Sequence, residues 1–168
     1  MGFKKTSDLI AVSFSFDETA PNAFTQEEIA LQLDVLNNEV AVILAVDLDV
    51  LPPDAIAATN TSTIASLTST SQTSTTNLGN SNCFSVTRET IQAAGFVDAG
   101  VAFTRKADST YTGDLDYIGI IATNNFFVQL IGSQNINAKR VSGRVWLYRA
   151  KADASTYAAL VQSEVLSA

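Results

Sequence analysis

The sequence predicts an all-β protein: an eight-stranded antiparallel β-sandwich followed by a short C-terminal helix. Eight stretches alternate apolar and polar residues with a period of two, and one stretch near the C-terminal end repeats its apolar residues at helical spacing. Proline, asparagine and glycine break the chain between these stretches, as connections in an antiparallel sandwich require. The 168 residues are expected to form a single domain, with residues 1–7 as a tail, 8–149 as the sandwich and 150–168 as the helix and tail. A chain of this length buries roughly 70% of the surface its unfolded form exposes, so it needs no staples to hold a core.

From Asp8 to Phe16, the side chains of Ile10, Val12, Phe14 and Phe16 share one face and Ala11, Ser13 and Ser15 the other, the pattern of a half-buried strand. Pro21 and Asn22 interrupt it. A second strand carries Ile29, Leu31, Leu33 and Val35 on one face, and Asn37 and Asn38 predict a tight hairpin turn after it. Glu39 to Leu51 is the longest strand. Simple alternation puts Val40, Val42, Leu44, Val46, Leu48 and Val50 on one face and Ala41, Ile43, Ala45, Asp47 and Asp49 on the other. Pro52 and Pro53 end it, because neither can donate to a ladder.

The Ser- and Thr-rich stretch Thr59 to Asn77 reads either as a disordered linker or as a strand with a hydroxyl-rich face, placed at Ile64 to Thr73 with a mobile turn at Asn77 to Asn82. Further strands are expected at Cys83 to Thr87 and Phe96 to Thr104, with a helical turn at Arg88 to Ala94 between them. Asp108 to Asp116 is a polar loop, and Asn125 to Ile131 and Lys139 to Arg149 are the last strands. Asp153 or Ser155 caps the closing helix, whose stripe is Tyr157, Leu160, Val161 and Val165.

Charged residues make up 16% of the chain, against about 25% in an ordinary soluble domain. An apolar β domain with so little surface charge is expected to cover much of itself with its own copies. The net charge of −7 argues against wrapping a nucleic acid, whose phosphates are bound by Lys and Arg. Cys83 stands alone, so no internal disulfide, zinc site or CxxC pair can form. The apolar run Leu9 to Val12 is too short for a signal core or a membrane span, so the chain reads as soluble and not conventionally secreted.

The chain has no histidine, which excludes a Ser/His/Asp or Cys/His set and histidine metal clusters. Carboxylate chemistry stays open through Asp47 with Asp49 and Asp114 with Asp116, as cation ligands, as an acid/base pair or simply as solvated side chains. No cofactor is called for, and no enzyme is expected. On the last strand Arg140, Arg144, Trp146 and Tyr148 share a face, a basic and aromatic surface suited to a subunit interface, to packing and ion pairing within the chain, or to single-stranded nucleic acid. With Tyr157, Leu160, Val161 and Val165 of the helix they form the candidate subunit interface. Asn60 to Ser62 matches a glycosylation sequon and Gly2 with Thr6 a myristoylation pattern, and both matches read as chance.

Eight strands, a hydroxyl-rich surface, no active-site residues and the tail "RAKADASTYAALVQSEVLSA" together resemble the single jelly-roll capsid proteins of small non-tailed viruses. The resemblance is architectural and covers Asp8 to Arg149. It implies a self-assembling structural protein that forms a closed shell, has copies of itself and other virion proteins as partners, and is located in the virion or otherwise in solution in the cytoplasm. Two departures stand out: only Lys4 and Lys5 precede the first strand where many such proteins carry a basic arm, and the Asn37–Asn38 hairpin is out of place in a fold whose consecutive strands mostly change sheet. The competing expectation is a binding module, such as an adhesin, receptor-binding or carbohydrate-binding sandwich, using its polar loops with Tyr111 and Tyr117 to stack on sugars. The tail is expected either to dock on a neighbouring subunit or to fold back on its own domain.

Overall fold

The structure, a computed structural model, describes residues 3–95, 103–108 and 115–167, with the backbone alone for 103–108. Among them are ten strands and one helix: β1 (Phe3–Lys5), β2 (Ile10–Asp17), β3 (Thr25–Ala30), β4 (Glu39–Val50), β5 (Thr61–Thr68), β6 (Cys83–Gln92), β7 (Phe103–Asp108), β8 (Gly119–Ile121), β9 (Asn125–Ser133), β10 (Arg140–Ala152) and α1 (Ala154–Leu166). One antiparallel sheet runs β8-β4-β10, with β1 and β2 both lying along the free edge of β10; the other runs β3-β9-β5-β6-β7. Without β1 and β7 the orders are β2-β10-β4-β8 and β3-β9-β5-β6, and the chain changes sheet at every connection except β5 to β6. This is the order of a double-sheet jelly roll.

The hairpin expected at Asn37–Asn38 is therefore a crossover. β3 stops at Ala30, Gln32 takes a positive φ, and a single 3-10 turn at Val35–Asn37 ends on left-handed Asn38 before β4 enters the opposite sheet. Leu31 and Leu33, expected within the second strand, lie beyond the end of β3 but are still buried.

The two sheets close on a core of Phe14, Ala41, Ile43, Leu48, Leu67, Ile121, Phe126, Val128, Leu130, Val145 and Leu147 with their neighbours. Phe14 meets Phe126 edge-on at 6.0 Å, a geometry that adds to simple area burial. A second cluster lies on the outer side of the first sheet, where Val40, Val42, Ala122, Ala150 and Ala152 receive Tyr157, Leu160 and Val161 of α1.

A bulge explains how β4 serves both clusters. Ile43 pairs with Leu147 and Ala45 with Trp146, so β4 spends one extra residue, Leu44, between two adjacent partners on β10. The extra residue reverses the parity of the strand. Val40 and Val42 point outward beneath α1 while Ala41 and Ile43 point into the sandwich; beyond the bulge Val46, Leu48 and Val50 turn inward and Asp47 and Asp49 outward. The single apolar face expected from uninterrupted alternation does not exist.

Other boundaries also moved. Residues 3–5 of the expected tail are β1, and β10 continues to Ala152 to pair with them, as Phe3 opposite Ala152 shows. The helical turn expected at Arg88 to Ala94 is the second half of β6, held between β5 and β7. β8 was not anticipated. β5 begins at Thr61, earlier than the sequence suggested, and the Ser/Thr-rich loop after it folds over the second sheet. There buried Gln129 donates to Gln26 and Thr68 and accepts from Ser66, while Gln26 accepts the amide of Gln72. Of the strand expected at Phe96 to Thr104, residues 96–102 lie outside the described residues, and β7 begins at Phe103.

One end of the sandwich is tied by a polar knot. Asp54 accepts from Lys139 Nζ at 2.7 Å and from the amides of Ile136 and Asn137 at 2.8 and 2.9 Å. The Lys139 ammonium and these amides hold the Asp54 carboxyl down at about 2. Lys139 is only 4% exposed, and its ammonium is paired with that carboxylate. Glu18 is also buried here, and its burial pushes its carboxyl up.

Candidate functional site

The outer face of the first sheet is divided in two. One half lies under α1, which Asp153 starts by accepting the Thr156 amide at 2.8 Å. Glu164 anchors the other end of the helix. It is buried, accepts the Ala122 amide at 3.1 Å and the Thr123 hydroxyl at 2.9 Å, and its own carbonyl receives Asn82 Nδ2 at 3.3 Å. Burial raises its carboxyl above the ordinary range.

Among the described residues nothing covers the other half of that face. Three adjacent strands present Ala11, Ser13 and Ser15 from β2, Ser142, Arg144 and Trp146 from β10, and Ala45, Asp47 and Asp49 from β4. In register, Arg144 lies between Ser13 and Asp47, Ser142 between Ser15 and Asp49, and Trp146 between Ala11 and Ala45. An open groove of about 310 Å³ runs across them, lined by Ser13, Asp47, Asp49, Ser142, Arg144 and Trp146 with Phe14 and Gly143 at its floor. Gly143 is required for close packing: a Cβ there would lie 2.4 Å from the Phe14 ring and 2.8 Å from the Asp47 carbonyl oxygen.

Arg144 Nε donates to the Ser13 hydroxyl at 3.2 Å, and its guanidinium lies 5.9 Å from the centre of the Trp146 ring. Trp146, half-buried, has small alanines as its register partners on both neighbouring strands. Donors, acceptors and one aromatic plane thus meet in a space of small-molecule size.

The eight residues expected to form one subunit interface are distributed over different surroundings. Tyr148, Tyr157, Leu160 and Val161 pack in the cluster beneath α1, so the tail folds back on its own domain. Tyr148 is also approached by Lys5 Nζ at 5.1 Å from its ring centre. Arg140 forms a two-pronged pair with Asp17 at 2.6 and 3.2 Å. Arg144 and Trp146 line the groove, and Val165 is exposed near the helix C-terminus. Asp47 and Asp49 join Arg144 and Trp146, an association the sequence left open. Asp114 and Tyr111 lie outside the described residues; Asp116 and Tyr117 are exposed.

The sequon has structural work to do: the Asn60 side chain accepts the amides of Ala93 and Ala94, both at 3.0 Å, and the Thr61 hydroxyl donates to the Asp54 carbonyl at 2.7 Å. Sequence reasoning missed Glu164, although it falls on the helix's apolar stripe seven residues after Tyr157. It also missed Ser13, whose place beside Arg144 depends on strand register. Among the described residues no cluster of three or more Asp, Glu or Cys could hold a metal ion, and no helix is long and apolar enough to cross a membrane. Comparison with known proteins gave no matching family model, curated protein or solved structure.

Proposed function

We propose that this chain is a structural protein that associates with copies of itself into a closed shell of the viral capsid kind, and so resides in a virion. The observation that carries the reading is the jelly-roll strand order in a chain whose exposed apolar side chains sit at separate places on a charge-poor surface. Leu36, 92% exposed, projects from the turn before β4; Leu51 follows the opposite end of that strand, near Ile136 at 70%; Leu78 and Val165 are exposed at 64% and 59%. Closed shells need dissimilar contacts on several faces of each subunit, and apolar contacts at both ends of the sandwich fit that need. The net charge of −7 fits a subunit that does not wrap the genome itself.

Light scattering and negative-stain micrographs of the purified protein, over a range of salt and pH, test the proposal. Regular particles are expected, and Leu36→Asp should abolish them without changing the melting temperature. A dilute monomer under every condition overturns the reading. The uncovered groove favours a second reading, a binding module, whose chemistry is developed next.

A further inference from the structure

We infer that the uncovered half of the first sheet's outer face is a binding site for a neutral saccharide. This does not rest on the assembly reading. The groove combines one half-buried indole, Trp146, with carboxylates Asp47 and Asp49, the guanidinium of Arg144 and the hydroxyls of Ser13 and Ser142. A pyranose ring has one face of C–H bonds that lies against an aromatic plane, and a rim of hydroxyls that both donate and accept. Asp47 and Asp49 accept from such hydroxyls, and Arg144, which already donates to Ser13 at 3.2 Å, can donate to them; the serines do either.

Charge and size select this occupant. Two carboxylates against one guanidinium repel phosphates and sulfates, which excludes a nucleotide or nucleic acid. The volume of about 310 Å³ is at the small end of ligand sites and suits one or two sugar rings. A second copy of the chain fits poorly: the centre of a protein interface is apolar and depleted in charge, whereas this groove has three charged side chains around a single large ring. The small floor is also purposeful in its packing. Ala11, Ser13, Ser15, Ala45 and Ser142 keep the side chains around Trp146 small, which leaves room for a ring beside the exposed part of the indole.

The test is a glycan array probed with the labelled protein, followed by calorimetric titration of galactose, mannose and N-acetylglucosamine. Because Trp146 is the only tryptophan, its fluorescence reports the site directly. Binding of at least one neutral glycan is expected, with a change in Trp146 emission. Trp146→Ala and Asp47→Asn, both confirmed as folded by their melting temperatures, should each weaken binding by about tenfold or more, equivalent to about 1.4 kcal/mol. Glu27→Gln on the other sheet should leave it unchanged. The inference is overturned if no glycan binds, if binding survives both groove substitutions, or if Trp146 becomes shielded from acrylamide as protein concentration rises without glycan, which would assign the groove to a second copy.

Discussion

The two halves of one sheet face, built from β10 and β4 side by side, have opposite fates. Under α1 the strands supply Val40, Val42, Tyr148, Ala150 and Ala152, and the helix answers with Tyr157, Leu160 and Val161. Beyond the bulge the same strands supply Asp47, Asp49, Ser142, Arg144 and Trp146, and among the described residues nothing answers. One additional residue in β4 makes the difference, since it turns valines outward at one end and aspartates outward at the other. The lesson is that apolar residues on both faces of a strand do not by themselves call for a partner molecule. The apolar residues on the outer side of β4 and β10 are covered by the chain's own helix, and the assembly proposal rests instead on the exposed side chains at the ends of the sandwich.

The largest effect expected is from ending the chain at Asp153. Removing α1 exposes the second cluster and forfeits the burial of three large side chains, about 4 kcal/mol at the usual value per side chain for partial burial. Melting should fall by about 10 °C, with dye-binding apolar surface appearing. If melting is unchanged, the covered half is no part of the fold's stability.

Two single substitutions compare the halves at similar cost for different reasons. Leu160→Ala leaves a cavity beneath the helix and should destabilise by about 2 kcal/mol. Gly143→Ala lies on the bare half but points inward, where its methyl would press on Phe14 and the Asp47 carbonyl, and should cost about 2 kcal/mol by overpacking. Denaturant melts measure both.

The pH dependence sharpens the contrast further. Glu164 has a raised carboxyl pKa in the folded state, so its favourable contribution is fully present below its unfolded value and is lost as pH rises through the folded one. Wild type should therefore lose stability relative to Glu164→Gln as pH rises from 4 to 7, as denaturant melts at both values would show. Asp54 has the opposite sign: held at about 2 by Lys139 and two amides, it contributes stability above its unfolded value that is lost as pH falls toward 2. The smallest effects belong to the groove, where Ser13→Ala and Asp49→Asn should change stability by less than about 0.5 kcal/mol.

The fold class was legible because alternation in β2, β9 and β10 and the stripe of α1 follow from side-chain direction alone. The division of the sheet was not. Alternation carries no mark of a bulge, so Val40 and Val42 read as inward, and β1 has only three residues, too few for any period. Arg88 to Ala94 misled for another reason: a stretch without clear alternation became strand because β5 and β7 pair on either side of it. Arg144 and Trp146 were legible as a site, yet their neighbours Ser13, Asp47 and Asp49 come from two other strands, β2 and β4, whose register is set by packing.

Acrylamide quenching of Trp146 fluorescence tests the division of the face most directly, made on the dilute protein and again on whatever particles it forms. An indole open to quencher is expected in both states, because no described residue covers the groove and assembly uses the ends of the sandwich. An indole shielded in the dilute protein, or one that becomes shielded on assembly, would contradict it.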